Sequence, residues 1–184
     1  MVQKEATKMA HTLAQVWTRA ELGLASPAVM VEVHLSNGLP SLTLVGLPES
    51  AVRESKDRVR SALLSSDADY PTRRITINLA PADLPKQGGR YDLPIAIGLL
   101  AASGQVPSER LAQTEWVGEL GLDGELRPVA GILPVAMAAS ESGRTLIVPT
   151  VQLAVCAVVP NLRVLGASHL REVMAFLAGT GSLH

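Results

Sequence analysis

Several groups of residues have types and spacings that chemistry could use. Pro85-Lys86-Gln87-Gly88-Gly89-Arg90 is glycine-rich, follows an alternating apolar run and precedes an apolar helix-like run. Backbone amides at such a junction can cradle an anion. Asp92, however, stands where the helix cap is expected, and a carboxylate there repels phosphate. The string therefore reads first as a structural loop. It is not a P-loop, which needs Gly-x-x-x-x-Gly-Lys-Ser/Thr, and no such string occurs in the chain. Glu119, Asp123 and Glu125 cluster around Asp123-Gly124 and read as turn-capping, solvated carboxylates. His11, His34, His169 and His184 have no His or Cys partner at helical spacing, so no metal site is expected. Ser55, Ser61, Ser65 and Ser66 lie in or near a charged helix without a patterned Lys or His to activate them.

The basic residues form the remaining group. Arg53, Lys56 and Arg60 follow at spacings of three and four and share a helix face. Arg73, Arg74, Lys86 and Arg90 lie in loops or strand edges positioned to join them. Glu49, Glu54 and Asp57 interleave, so the plain reading is a solvated face. The functional reading is a surface turned to DNA phosphates or to a neighbouring subunit.

The elements that must carry these residues are legible from periodicity. Val29, Val31, Val33 and Leu35 alternate with polar positions, Asn37-Gly38 signals a tight turn, and Leu42–Val45 returns, which predicts an antiparallel hairpin. Pro48-Glu49 opens a helix whose Val52, Val59, Ala62 and Leu63 share a face. Ile75, Ile77 and Leu79 form a strand. Asp92 caps a helix running to Gly104, apolar nearly all round and therefore central. Trp116–Leu120 and Glu125–Val129 flank the hairpin signal Asp123-Gly124. A helix from Ile132 to Ser142 stops at Gly143. A strand at Leu146–Val148, a helix over Val151–Ala157, a strand at Arg163–Leu165 and a helix over Leu170–Leu177 complete the chain. Hairpins mixed with interleaved strands and helices indicate a single α/β (α+β) domain with a mixed sheet and packed helices.

Composition bounds the function. Hydrophobic residues are 47% and charged residues 18%, enough apolar material for a folded core. Aromatics are 3%, which argues against a platform that stacks single-stranded bases. The net charge is -1, so any nucleic-acid role must come from a local patch. Cys156 is the single cysteine and lies in an apolar run; it excludes an internal disulfide and reads as a buried thiol. No run has the length of a membrane span, and the N-terminus lacks a secretory apolar core, so a cytoplasmic location is expected.

Longer strings carry a resemblance. Val31–Leu35 with Asn37–Pro40, Val45–Glu54, Ile77–Lys86 running into Gly88–Ala96, then Gly118–Leu120 and Gly124–Gly131 are similar to the N-terminal domain of the ComM/YifB family of magnesium-chelatase-like AAA+ ATPases. The resemblance covers about residues 13–178 and extends, more distantly, to the proteolytic domain of Lon and the C-terminal domain of the RadA repair protein. It implies a flexible leader over 1–10, a Lon-like domain over 11–180, and an AAA+ ATPase domain absent from this chain, which would then be a fragment or truncated product. ATP and Mg would be bound in that missing domain. The resemblance also implies a hexameric ring acting on DNA in branch migration during recombination and natural transformation, with this domain as a non-catalytic accessory. A degenerate or relocated Lon-like peptidase is the alternative. In Lon-type domains a Ser begins the helix after the Pro-Lys-x-Gly loop, and a Lys begins the helix after the Gly-Glu hairpin. Those positions fall here at about Asp92, or Arg90 without a gap, and at Leu133, so the dyad is expected to be lost. The family label also suggests metal chelation, for which the sequence offers no porphyrin or magnesium site.

Overall fold

The computed structural model describes residues 12–184, so the expected leader over 1–10 lies outside the described residues. Nine strands are named in chain order: β1 Leu13–Arg19, β2 Ala28–Ser36, β3 Ser41–Val45, β4 Arg74–Ala80, β5 Thr114–Trp116, β6 Glu119–Leu120, β7 Leu126–Arg127, β8 Thr145–Pro149 and β9 Val164–Ala167. The α-helices are α1 Glu49–Ser65, α2 Asp92–Ala102, α3 Ile132–Ser142, α4 Leu153–Cys156 and α5 Leu170–Ala178.

Seven strands form one sheet in the order β3-β4-β2-β1-β5-β8-β9, and β6 pairs with β7 as a small separate hairpin. Within the large sheet only β2 runs against the rest, since it is antiparallel to both β1 and β4 while every other pairing is parallel. The mixed-sheet α/β expectation holds, but the expected hairpin between β2 and β3 is corrected. β4 lies between them, antiparallel to β2 and parallel to β3. The 17-residue α1 supplies the crossover that parallel pairing of β3 and β4 requires. The inner place goes to the strand with the stronger apolar face. Ile75, Ile77 and Leu79 of β4 are fully buried, whereas Leu42 and Leu44 of β3 are half-buried, as suits an edge strand.

β1 is a central strand that periodicity did not reveal. Its buried positions, Ala14, Val16 and Thr18, are small or polar, while the bulkier Leu13 and Trp17 point to the opposite face. Arg19 at its end is buried and forms a bidentate pair with Glu115 on β5, Nε to Oε2 at 2.8 Å and Nη2 to Oε1 at 2.7 Å. That pair joins the two halves of the sheet.

One face of the sheet carries α1, α2 and α5 over a single apolar cluster that includes Val16, Val33, Ile77, Leu63, Leu99 and Val173. All eleven residues of α2 are buried, as a helix apolar on every side after Asp92 demands. Gly98 lets α2 close on the sheet, because a Cβ there would strike Val33. Truncating Leu99 in this layer would cost about 2–5 kcal/mol by loss of transfer energy and the cavity left behind. A second cluster, with Val135, Ala139, Leu146, Val148 and Cys156, lies under α3 and α4. On the outward side of β1, β2 and β4, Gln15, His34 and Thr76 are exposed, while Trp17, Glu32 and Asn78 are half-buried. No helix among the described residues is long and apolar enough to cross a membrane.

The remaining expected elements are present with small changes. α3 spans the residues expected and ends at Gly143 in the left-handed region, φ 76°. The expected helix over Val151–Ala157 divides into a 3-10 turn, Thr150–Gln152, and the single turn of α4. Asp92 is not a cap. A 3-10 turn over Gly89–Tyr91 runs directly into α2, Tyr91 takes the cap position, and the Asp92 carboxylate points away from the helix end.

Candidate functional site

The glycine-rich loop lies at the carboxyl end of β4 and feeds α2. The loop docks on the segment after β5: Leu93 N–H donates to Gly118 O at 3.1 Å and Gly118 N–H donates to Arg90 O at 3.4 Å. The Glu119 carboxylate packs against Gly89, where a Cβ would oblige that side chain to turn aside. Together Glu21, Gln87–Arg90, Glu119 and Pro128–Ala130 enclose a cleft of about 300 Å³.

The two cations of this loop do not face solvent. Lys86 is 4% exposed and turns its ammonium onto the Pro81 and Leu84 carbonyls. Burial lowers its pKa from the usual lysine value, with Asp83 opposing. Arg90 is likewise 4% exposed; its Nη2 donates to Ala130 O and to Glu21 Oε2 at 3.2 Å. Burial also lowers the Arg90 pKa, opposed by Tyr91 and Glu21. Among the described residues Arg90 Nη1 has no partner. Lys86 and Arg90 therefore do not join Arg53, Lys56 and Arg60 on a surface, which corrects that expectation. Their methylene stems and charges are spent on holding the loop and tying it to the segment before α3.

Of the positions of the expected dyad, Arg90 lines this cleft, whereas Asp92 and Leu133 are not part of its lining. Arg90 crosses from the loop to the Ala130 carbonyl, three residues before Leu133. Leu133 is 40% exposed on the first turn of α3. Asp92 is fully buried and accepts from Ser55 Oγ at 2.7 Å, from Arg58 Nε at 2.6 Å and from Leu120 N–H at 3.2 Å. Burial raises the Asp92 pKa, while the Arg58 and Ser55 hydrogen bonds and the Arg58 charge pull it back down. Ser55 is buried and donates to a carboxylate, with no amine or imidazole beside it, so it has neither an activating base nor access to substrate. In the sequence Ser55 reads as a nucleophile without a partner and Arg58 as part of the charged face, and the role of both at Asp92 is missed there. The available signal was a polar pair at i, i+3 interrupting the apolar face of α1.

The basic face of α1 is a different surface. Arg53, Lys56 and Arg60 are all exposed. Lys56 and Arg60 line a cleft of about 230 Å³ with Arg73, Pro40, Leu42 and Tyr70. The Arg60 guanidinium lies 5.8 Å from the centroid of Tyr70, a cation–π contact that holds it at the cleft wall. Burial raises the Tyr70 pKa, with the Arg60 charge opposing. Arg73 Nη2 reaches Asn37 Oδ1 at 3.4 Å from the other side. Among the described residues no carboxylate lines this cleft. Glu54, which interleaves in sequence, instead leans on Arg58 at 3.8 Å. Of the carboxylates around the turn, Asp123 behaves as expected, its Oδ1 accepting from Glu125 N–H at 3.0 Å, whereas Glu119 is half-buried against Gly89 rather than solvated at the turn. His169 caps α5, its Nδ1 accepting from Arg171 N–H at 3.0 Å, and its Nε2 lies 2.8 Å from Asp123 O. Cys156 is fully buried, and burial pushes its thiol pKa up to about 11.

Comparison with known proteins places the chain. The family described as subunit ChlI of Mg-chelatase matches residues 31–152. The YifB protein of Salmonella typhimurium is 52% identical over 172 residues, covering 94% of this chain and 34% of that protein. The competence protein ComM of Haemophilus influenzae is 51% identical over 172 residues, with 94% and 34% covered. A Lon protease of Chloroflexus aurantiacus is 30% identical over 143 residues, covering 73% of this chain and 16% of the protease. The chain thus spans about a third of the length of the YifB and ComM proteins it matches. With more than half of its residues matched by the one family and nearly all by these two proteins, the chain belongs to the family of subunit ChlI of Mg-chelatase, among the ComM/YifB proteins.

Proposed function

We propose that this chain is the non-catalytic N-terminal accessory domain of a ComM/YifB-type AAA+ ATPase and that the basic face of α1 engages DNA phosphates. The observation that carries this reading is the convergence of Lys56, Arg60 and Arg73 on one cleft that, among the described residues, has no carboxylate in its lining. The competence label of a relative 51% identical supports a DNA context. In this reading the whole protein is a cytoplasmic hexamer acting in branch migration during recombination and natural transformation. ATP and Mg bind in its ATPase domain, and this domain helps to hold the ring or to grip the DNA. Arg90, Asp92 and Leu133 stand at the positions where Lon-type chemistry needs Ser and Lys, which argues against the degenerate-peptidase alternative.

Fluorescence anisotropy with a labelled duplex over a salt series tests the reading. Each phosphate neutralised contributes about -0.9 to the slope of log affinity against log salt. Arg53→Glu with Lys56→Glu should weaken binding and flatten that slope by about 2. Absence of binding by the unaltered chain, or an unchanged slope in the double variant, would overturn it.

A further inference from the structure

A third cleft lies far along the sheet from α1, at the amino ends of three adjacent parallel strands. Thr114 of β5 pairs with Thr145 of β8. Leu146 N–H donates to Arg163 O at 2.9 Å, which sets Arg163, the residue before β9, beside Thr145. With neighbouring strands about 4.8 Å apart, these three positions form a row about 10 Å long. Arg110 closes the row from the α5 side. Its guanidinium stacks 4.5 Å from the Phe176 ring centroid, and its Nη1 donates to Phe176 O at 2.9 Å. Thr114 Oγ1 donates to Arg110 O at 2.8 Å and accepts from Trp116 Nε1 at 2.8 Å, so the turn bearing Arg110 is itself anchored.

The space between is a cleft of about 260 Å³ with Leu165 and Phe176 among its walls. Among the described residues its lining holds two guanidinium groups and no carboxylate. Arg163 is exposed and, among the described residues, makes no ion pair. The nearby Arg144 turns to Glu115 at 3.1 Å and stacks on Trp17, so Glu115 is already engaged and does not neutralise the cleft. Glu109 precedes Arg110 in sequence but is not part of the lining.

We infer that this cleft is a phosphate-binding site in which Arg110 and Arg163 grip one phosphoryl group from opposite sides. Arginine suits the task because its planar fork presents several N–H donors to the tetrahedral oxygens of phosphate. Arg110 is fixed through Nη1 and the ring stack, which leaves Nε and Nη2 for the ligand. Thr145 adds a hydroxyl between the two cations. The phosphate comes either from a nucleic-acid backbone or from a free nucleotide, and the site uses none of the α1 residues.

The experiment is a titration of the arginine Nε–Hε signals of the whole chain by NMR, with inorganic phosphate, adenosine 5′-monophosphate and a short oligothymidylate as separate ligands. Arg110 and Arg163 should shift saturably, while Arg127, exposed on the β6–β7 hairpin, should not. Saturable shifts that include oligothymidylate assign the cleft to a nucleic-acid backbone. Shifts with phosphate and the monophosphate alone assign it to a free nucleotide. Arg163→Ala removes an exposed side chain, keeps the fold, and should weaken binding about tenfold, the worth of one charged hydrogen bond. Arg53→Glu with Lys56→Glu should leave these shifts in place. Shifts that fail to saturate, that appear equally at Arg127, or that bind as tightly in Arg163→Ala overturn the assignment.

Discussion

Arg58 on α1 donates its Nε to Asp92 Oδ2 at 2.6 Å and, with Ser55 Oγ at 2.7 Å from Oδ1, ties the helix carrying the basic face to the first residue of the buried helix. Asp92 has 0% exposure and Arg58 retains 22% side-chain exposure. Removing the cation would strand a buried carboxylate with only Ser55 and Leu120 N–H as partners. Arg58→Met should therefore destabilise the fold by about 3 kcal/mol, the low end for breaking a buried pair because water reaches Arg58. Urea denaturation checks this. Asp92 binds a proton more readily when folded, so its ionisation opposes folding as pH rises through its raised value. The loss in Arg58→Met should consequently shrink as the pH is lowered into the carboxylate range. A loss independent of pH would mean that Arg58 acts by packing alone.

Gly46 ends β3 with φ +105°, and a Cβ there would stand 2.8 Å from the carbonyl oxygen of Leu79. The obstacle is backbone of the neighbouring strand and cannot rotate away. Gly46→Ala combines that contact with a positive φ and should cost about 2–3 kcal/mol. Thermal or chemical denaturation reads the loss. By contrast, Gly143→Ala, which has open space around it, should lose only the cost of its positive φ, about 1 kcal/mol. Equal losses at the two sites would show that contact with Leu79 is not the cause.

Tyr91 is 1% exposed, and its hydroxyl has no partner among the described residues. Tyr91→Phe removes a buried polar group without opening a cavity and should stabilise the chain by about 1 kcal/mol. Burial pushes the Tyr91 pKa up to about 12 from 10.0, with the Arg90 charge opposing. A raised folded value means that the neutral phenol's contribution is complete below pH 10 and is lost as pH rises toward 12. Tyr91→Phe should accordingly unfold less steeply with alkali across that window, as followed by circular dichroism. A destabilised Phe variant would reveal that the hydroxyl is bonded in solution.

Much of this fold was legible because apolar period and turn residues agree. α2 has no polar face to misread, and Ile132 and Gly143 mark both ends of α3. The failures have physical causes. β1 hides because small or polar residues fill its buried face and Trp17 lies on the other. Asn37-Gly38 supplies a turn, but local sequence does not say whether the next strand pairs with the last or leaves room for β4. The candidate sites divided in the same way. Arg53, Lys56 and Arg60 are exposed as helix spacing implies. Lys86 and Arg90 read as surface cations because nothing local announces carbonyls from Pro81, Leu84 and Ala130 closing over them. The Arg110–Arg163 cleft joins residues more than fifty apart, and only the order β5-β8-β9 brings them together.

The Lon-type positions allow a last prediction. A catalytic Lys acts as base only when burial keeps it neutral near pH 7. Leu133 is 40% exposed, so a Lys placed there would remain solvated and protonated. Arg90→Ser would supply a hydroxyl at the cleft but would also release Glu21 and the Ala130 carbonyl from their cation. The double variant Arg90→Ser with Leu133→Lys should therefore stay unreactive toward a serine-directed fluorophosphonate, as should the unaltered chain. An unreactive double variant would mean that the shape and solvation around these positions, and not the two side chains alone, oppose peptidase chemistry. Labelling of the double variant at the introduced serine alone would show instead that these surroundings still desolvate a lysine. Labelling of the unaltered chain would return the peptidase reading to first place.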